Sequence, residues 1–83
     1  MDKAEIRKRQ LRWKCRRGML ELDIILTRFF DQCFDSLQRD EQAVFAQVLD
    51  LEDSELWACF MVEKQHDDPT VQAMLQKIAG VGP

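Results

Sequence analysis

Apolar residues recur along this chain at helical spacing, and no β-hairpin signal is visible. The clearest stripe runs from roughly 19 to 34, where Leu22, Ile25, Leu26, Phe29, Phe30 and Cys33 fall at i, i+3, i+4, i+7, i+8 and i+11. That stripe is wide enough to face a core, and Asp23, Thr27 and Asp31 lie opposite it as its solvated side. A shorter pattern over 38–49 places Val44, Phe45, Val48 and Leu49 inward, with Leu37 just ahead as a hydrophobic staple. Gln38 stands there where a better N-cap is expected.

The remaining segments are read from their ends. Asp53 is expected to cap a helix that continues through Leu56, Trp57, Phe60 and Met61, which makes 50–53 a tight corner. Asp68-Pro69 is an N-cap followed by proline at the first helical position. It opens a last helix that buries Val71, Met74, Leu75 and Ile78 and stops at Gly80. At the front, 4–16 is a basic helix in which Ile6, Leu11 and Trp13 form a thin apolar edge. The pattern predicts an all-α fold, a compact bundle of about five short helices in a single domain spanning 1–83. The body covers 19–79, and the tail 80–83 is expected to fray.

With 83 residues and 9.8 kDa, there is room for one small core and none for a cleft between two domains. The longest runs free of charge, Gln42–Leu49 and Pro69–Gln76, are far short of a membrane span, so no membrane insertion is expected. Met1 to Arg17 lacks the apolar stretch of a secretory leader. Cys15, Cys33 and Cys59 are too far apart for a CxxC pair or a zinc knuckle. Three reduced thiols in a cytoplasmic protein is the reading that follows.

The net charge of −3 conceals a polarity. Residues 1–17 hold eight basic and two acidic side chains, a net of +6, and residues 18–83 hold four basic and thirteen acidic ones, a net of −9. Such an arm can grip an anionic partner or be a solvated helix face. One alternative function follows from it, a small nucleic-acid-binding helical regulator with Trp13 among Arg7, Lys8, Arg9, Arg12 and Lys14. The acidic body and the absence of a recognition helix weigh against nucleic acid.

Catalytic constellations are nearly absent. His66 is the sole histidine and is read as an exposed loop residue, no metal set is available, and Gly18 stands alone instead of in a phosphate loop. The chain is therefore not expected to be an enzyme. Gly18 nonetheless breaks the helical pattern where the basic arm meets the acidic body. It either supplies a positive φ that ends the first helix, or lets another protein's backbone come close between Arg17 and Glu21.

Arg17-Gly18-x-x-Glu21, within Trp13-x-Cys15-Arg16-Arg17-Gly18-Met19-x-Glu21-x-Asp23, resembles the RGxxE motif of the SdhE family, the FAD assembly factors of succinate dehydrogenase. The Phe29-Phe30 pair, the acidic corner from Leu49 to Asp53 and the following Leu56-Trp57 extend the likeness over roughly Arg9 to Met61. The resemblance implies a chaperone-like protein that binds the flavoprotein subunit of succinate dehydrogenase, and in many bacteria that of fumarate reductase. It would promote covalent attachment of FAD to a histidine of that client. It implies no cofactor held with certainty by this chain itself. It places Arg17, Gly18 and Glu21 against the client, with Arg16, Met19 and Asp23 beside them.

Overall fold

Three of the helices start where a side chain or a proline serves the first turn. The computed structural model describes residues 2–61 and 63–81. The Asp2 carboxylate accepts the Glu5 N–H at 2.8 Å and opens α1 (Lys3–Lys14). Then follow α2 (Leu20–Cys33), a 3-10 turn over Phe34–Ser36, α3 (Arg39–Leu49), α4 (Asp53–Phe60) and α5 (Pro69–Ala79). Asp68 caps α5 by accepting the Thr70 N–H at 2.9 Å, with Pro69 at the first helical position.

Two expectations about caps change. Gln38 is a weak cap made good from within its own helix, because the Glu41 carboxylate accepts the Gln38 N–H at 3.0 Å. Lys77 of α5 holds the same carboxylate at 3.0 Å and so ties two helices together at one acid. Asp53 does not cap α4. Glu52 takes that position without a side-chain bond, and Asp53 is the first helical residue, its carboxylate engaged by Arg17 instead. His66 is half-buried, not exposed: its N–H donates to Gln72 Oε1 at 2.7 Å and its Nδ1 accepts the Asp68 N–H at 3.0 Å, which folds the loop into α5. Of the tail, Val81 donates its N–H to Ile78 O at 3.3 Å and rests on the core. Residues 82–83 lie outside the described residues.

The core is centred on α2 and α3. Leu22, Leu26, Phe29, Phe45, Val48 and Leu56 have no exposed surface. Phe45 stands among three other rings, 5.5 Å from Phe29, 6.2 Å from Phe30 and, edge-on, 6.1 Å from Phe34. α5 closes this cluster with Val71, Met74, Leu75 and Ile78. Ile25, Val44, Trp57 and Phe60 are only half-buried at its margin.

α1 is attached differently. Only Leu11 of its residues is buried, while Ile6 and Trp13, expected on its apolar edge, are exposed. Ion pairs supply the remaining contacts: Lys8–Asp35 at 2.8 Å, Arg12–Asp31 at 3.0 Å and Lys14–Asp50 at 3.3 Å. Arg12 meets Asp31 with two parallel N–H donors, the fork geometry that makes such a pair specific.

Phe45→Ala is expected to lower unfolding free energy by about 3–5 kcal/mol, the usual cost of emptying a filled aromatic site; a urea titration followed by circular dichroism measures it. The Gln38 N–H, and then Lys77, hold the Glu41 carboxyl below its ordinary value of about 4.5. Its stabilisation is therefore present above that pH and is lost as the pH falls through the lowered native value. The melting-temperature gap between wild type and Glu41→Ala should be full at neutral pH and close under acid; a constant gap would mean the charge is idle.

Candidate functional site

The link between α1 and α2 is built by one turn of diminishing helix followed by an anchored arginine. Cys15 and Arg16 still donate their N–H groups to Arg12 O and Trp13 O, at 3.1 and 3.0 Å. Arg16 and Arg17 then leave the helical path and α2 begins at Leu20. Gly18 has no left-handed backbone, contrary to the positive φ that one reading of the sequence gave it, since α1 has already ended at Lys14 with a right-handed C-cap at Cys15. A Cβ added at Gly18 would meet only Asp53 Oδ2 at 3.9 Å, an ordinary contact. Nothing among the described residues demands a glycine there, and the residue is exposed.

Arg17 points inward. Its side chain is 14% exposed, whereas the sequence reading aims it at a partner. Nη1 donates to Leu51 O at 3.2 Å and to Asp53 Oδ1 at 3.4 Å, and Nη2 donates to Leu49 O. Leu49 ends α3, so its carbonyl is one of those left without an N–H from its own helix, and a cation there also complements the helix dipole. Nε is buried without a partner. The acidic corner and the arginine are thus halves of one device: Arg17 seats the α1–α2 link on the α3–α4 corner.

The other candidates divide between inside and outside. Glu21 is exposed in the first turn of α2 and makes no hydrogen bond or ion pair among the described residues, so it does not orient Arg17. Arg16 is exposed, lies over the Trp13 ring at 5.8 Å from its centroid and approaches Asp23 at 3.6 Å. Asp23 is half-buried and accepts from Thr27 Oγ1 at 3.3 Å. Met19 is half-buried against the core.

Two residues beside the motif are absent from the sequence reading. Leu20 is 67% exposed and Ile24 45% exposed, one turn apart on α2 and flanking Glu21. At about 100° per residue, Ile24 falls opposite Leu22, Leu26 and Phe29. That spacing is the signal that could have found it. Assigning the outer side to Asp23 and Thr27, both half-buried, hid it.

Burial pushes the Cys15 thiol up to about 12 against the opposing pull of Arg17 and Arg12, so it stays protonated and poorly nucleophilic at neutral pH. Burial raises the Cys59 thiol too. Among the described residues no cluster of three metal-ligating side chains occurs. The surface combines an open backbone at Gly18, two bare aliphatic side chains and one free carboxylate.

Arg17→Met should cost about 1–3 kcal/mol, because it strips charged donors from the Leu49 and Leu51 carbonyls. Arg17→Lys should recover only part of that, since a single ammonium cannot span the corner. Urea midpoints of the three proteins decide the order, and a fully stable Arg17→Met would remove the anchor from the account.

Comparison with known proteins bears on this surface. Residues 9–81 match the family model described as a flavinator of succinate dehydrogenase. The chain is 42% identical over 69 residues to the FAD assembly factor SdhE of Idiomarina loihiensis, covering 83% of this chain and 77% of that protein. It is 42% identical over 71 residues to its counterpart from Vibrio cholerae, covering 86% and 83%. With that of Colwellia psychrerythraea it shares 40% identity over 74 residues, covering 89% and 81%. No helix among the described residues is long and apolar enough to cross a membrane. A match over nearly the whole helical body, motif corner included, makes this chain a member of the SdhE family of succinate dehydrogenase FAD assembly factors.

Proposed function

We propose that this chain binds the flavoprotein subunit of succinate dehydrogenase and promotes its covalent flavinylation, and that the same surface serves the flavoprotein of fumarate reductase. The bond between FAD and the client's histidine is made by flavin and client. This chain contributes no reacting group and works in the cytoplasm.

The observation that carries this reading is Gly18, a glycine with neither a left-handed backbone nor a steric reason in the isolated fold, standing exposed beside Glu21. Its bareness matters when a second backbone comes against it. Leu20 and Ile24 then supply the apolar part of the contact, and Glu21 accepts hydrogen bonds from client donors. Arg17 acts from inside, as a positioning residue that fixes the height of Gly18 above the α3–α4 corner.

Covalent attachment requires the flavin and the acceptor histidine to stay in reactive register, and holding them there lowers the barrier without new chemistry. A bundle that binds this arrangement of the client more tightly than the alternatives raises its population by the ratio of the affinities. The competing nucleic-acid reading is weakened by pairing: five of the eight cations in residues 1–17 face acids of the chain itself.

Gly18 variants test the reading. Gly18→Ala is expected to fold with equal stability, or up to about 0.4–1 kcal/mol more, through the narrowed unfolded state. Gly18→Trp should also fold but fail to flavinylate. Purified apo-flavoprotein, FAD and each variant are mixed, and covalent flavin is read as fluorescence retained by the denatured client band. Normal labelling with folded Gly18→Trp refutes the close-approach role. In the same assay Ile24→Asp should weaken client binding roughly tenfold or more, as truncating an apolar anchor does.

A further inference from the structure

Among the described residues, the three cations of residues 1–17 that have no acidic partner are Lys3, Arg7 and Arg9; Arg7 and Arg9 border one pocket with Trp13, and Arg7 also faces a second one with Lys3. Arg9 stands with Trp13 and Arg12. Lys3 and Arg7 line a groove of about 430 Å³ between α1 and α3, and Arg39 of α3 faces it from the other wall. Arg39 also lacks an ion pair. Lys8 adds a fourth cation, held by Asp35 at 2.8 Å. The lining includes no acid, and edges of Leu11 and Phe34 form an apolar floor.

We propose that this groove receives an extended acidic segment of a protein partner, its carboxylates paired with Arg7, Arg39 and Lys3 and its apolar side chains laid over Leu11 and Phe34. Charge complementarity names the occupant. The groove concentrates positive charge on a molecule whose net charge is −3, so a short acidic stretch is attracted locally while a long polyphosphate meets repulsion from the rest of the surface. Arginine forks suit carboxylates in pairs, and the floor favours a ligand that alternates acidic with apolar groups. The exposed aromatic that single-stranded nucleic acid would stack on, Trp13, is not in this groove. The Gly18 corner follows the opposite end of α1, so the groove is a second contact separate from the motif.

The test uses the 83-residue chain and a fluorescein-labelled peptide of alternating glutamate and leucine, followed by anisotropy at low and moderate salt. Saturable binding that weakens with salt is expected. The double variant R7E/R39E should weaken it roughly tenfold or more, while R9E/R28E, with the same change in net charge and with Arg9 and the α2 residue Arg28 both outside the groove's lining, stays within about twofold of wild type. Amide shifts of the wild-type chain on peptide addition should map to the first half of α1 and the first turn of α3. Equal loss in both double variants, equal binding of a glutamate–serine peptide, or shifts centred elsewhere overturns the proposal. Displacement of the peptide by an oligothymidylate of equal charge would assign the groove to nucleic acid instead and also overturn it.

Discussion

A helix that ends in a tight corner leaves carbonyls without N–H partners, and at the end of α3 those of Leu49 and Leu51 are answered by one guanidinium from a distant part of the chain. Arg17 thereby fixes where the α1–α2 link sits, and the rest of the candidate surface inherits its position from that bond set. Gly18 follows directly, Leu20 starts the next helix, and Glu21 and Ile24 project from its first turns. In the RGxxE signature the arginine therefore supports the surface from beneath, while the glycine and the glutamate lie on it. A motif that reads as three equal surface positions is one inward support and two exposed residues.

The same chain resolves its charge polarity by folding it onto itself. Five cations of residues 1–17 are matched by acids in α2, the 3-10 turn and the α3–α4 corner. Each exposed pair contributes little alone, but together they set the register of α1 against a core it hardly enters. Of what remains unmatched among the described residues, Lys3 and Arg7 border the groove against α3 and Arg9 does not.

Much of this was legible in the residues. Helical spacing placed α2, α3 and α5 within about a residue or two of their observed limits, because a wide apolar stripe and a strong cap such as Asp68-Pro69 leave few alternatives. Single side chains near the site were harder. Asp53 looks like a cap until a cation from elsewhere takes it, and Gly18 looks like a left-handed helix stop until the helix ends earlier. Arg17 reads as a surface charge because long-range bonds to backbone carbonyls leave no periodic trace. Ile24 was missed for the opposite reason: its position on the helical wheel was available, but polar neighbours drew the outer side toward themselves.

The unequal attachment of the helices has a consequence for how the molecule comes apart. α2, α3 and α5 are joined by buried rings and aliphatic chains, which salt barely affects, whereas α1 is fastened largely by exposed charges that mobile ions screen. Its backbone amides should trade hydrogen with solvent through a partial opening well below the energy of global unfolding. In concentrated electrolyte the first helix would peel while the remaining helices stay folded, so the cleft it walls against α3 is the ion-sensitive half of the protein and the arginine-seated corner the ion-tolerant one.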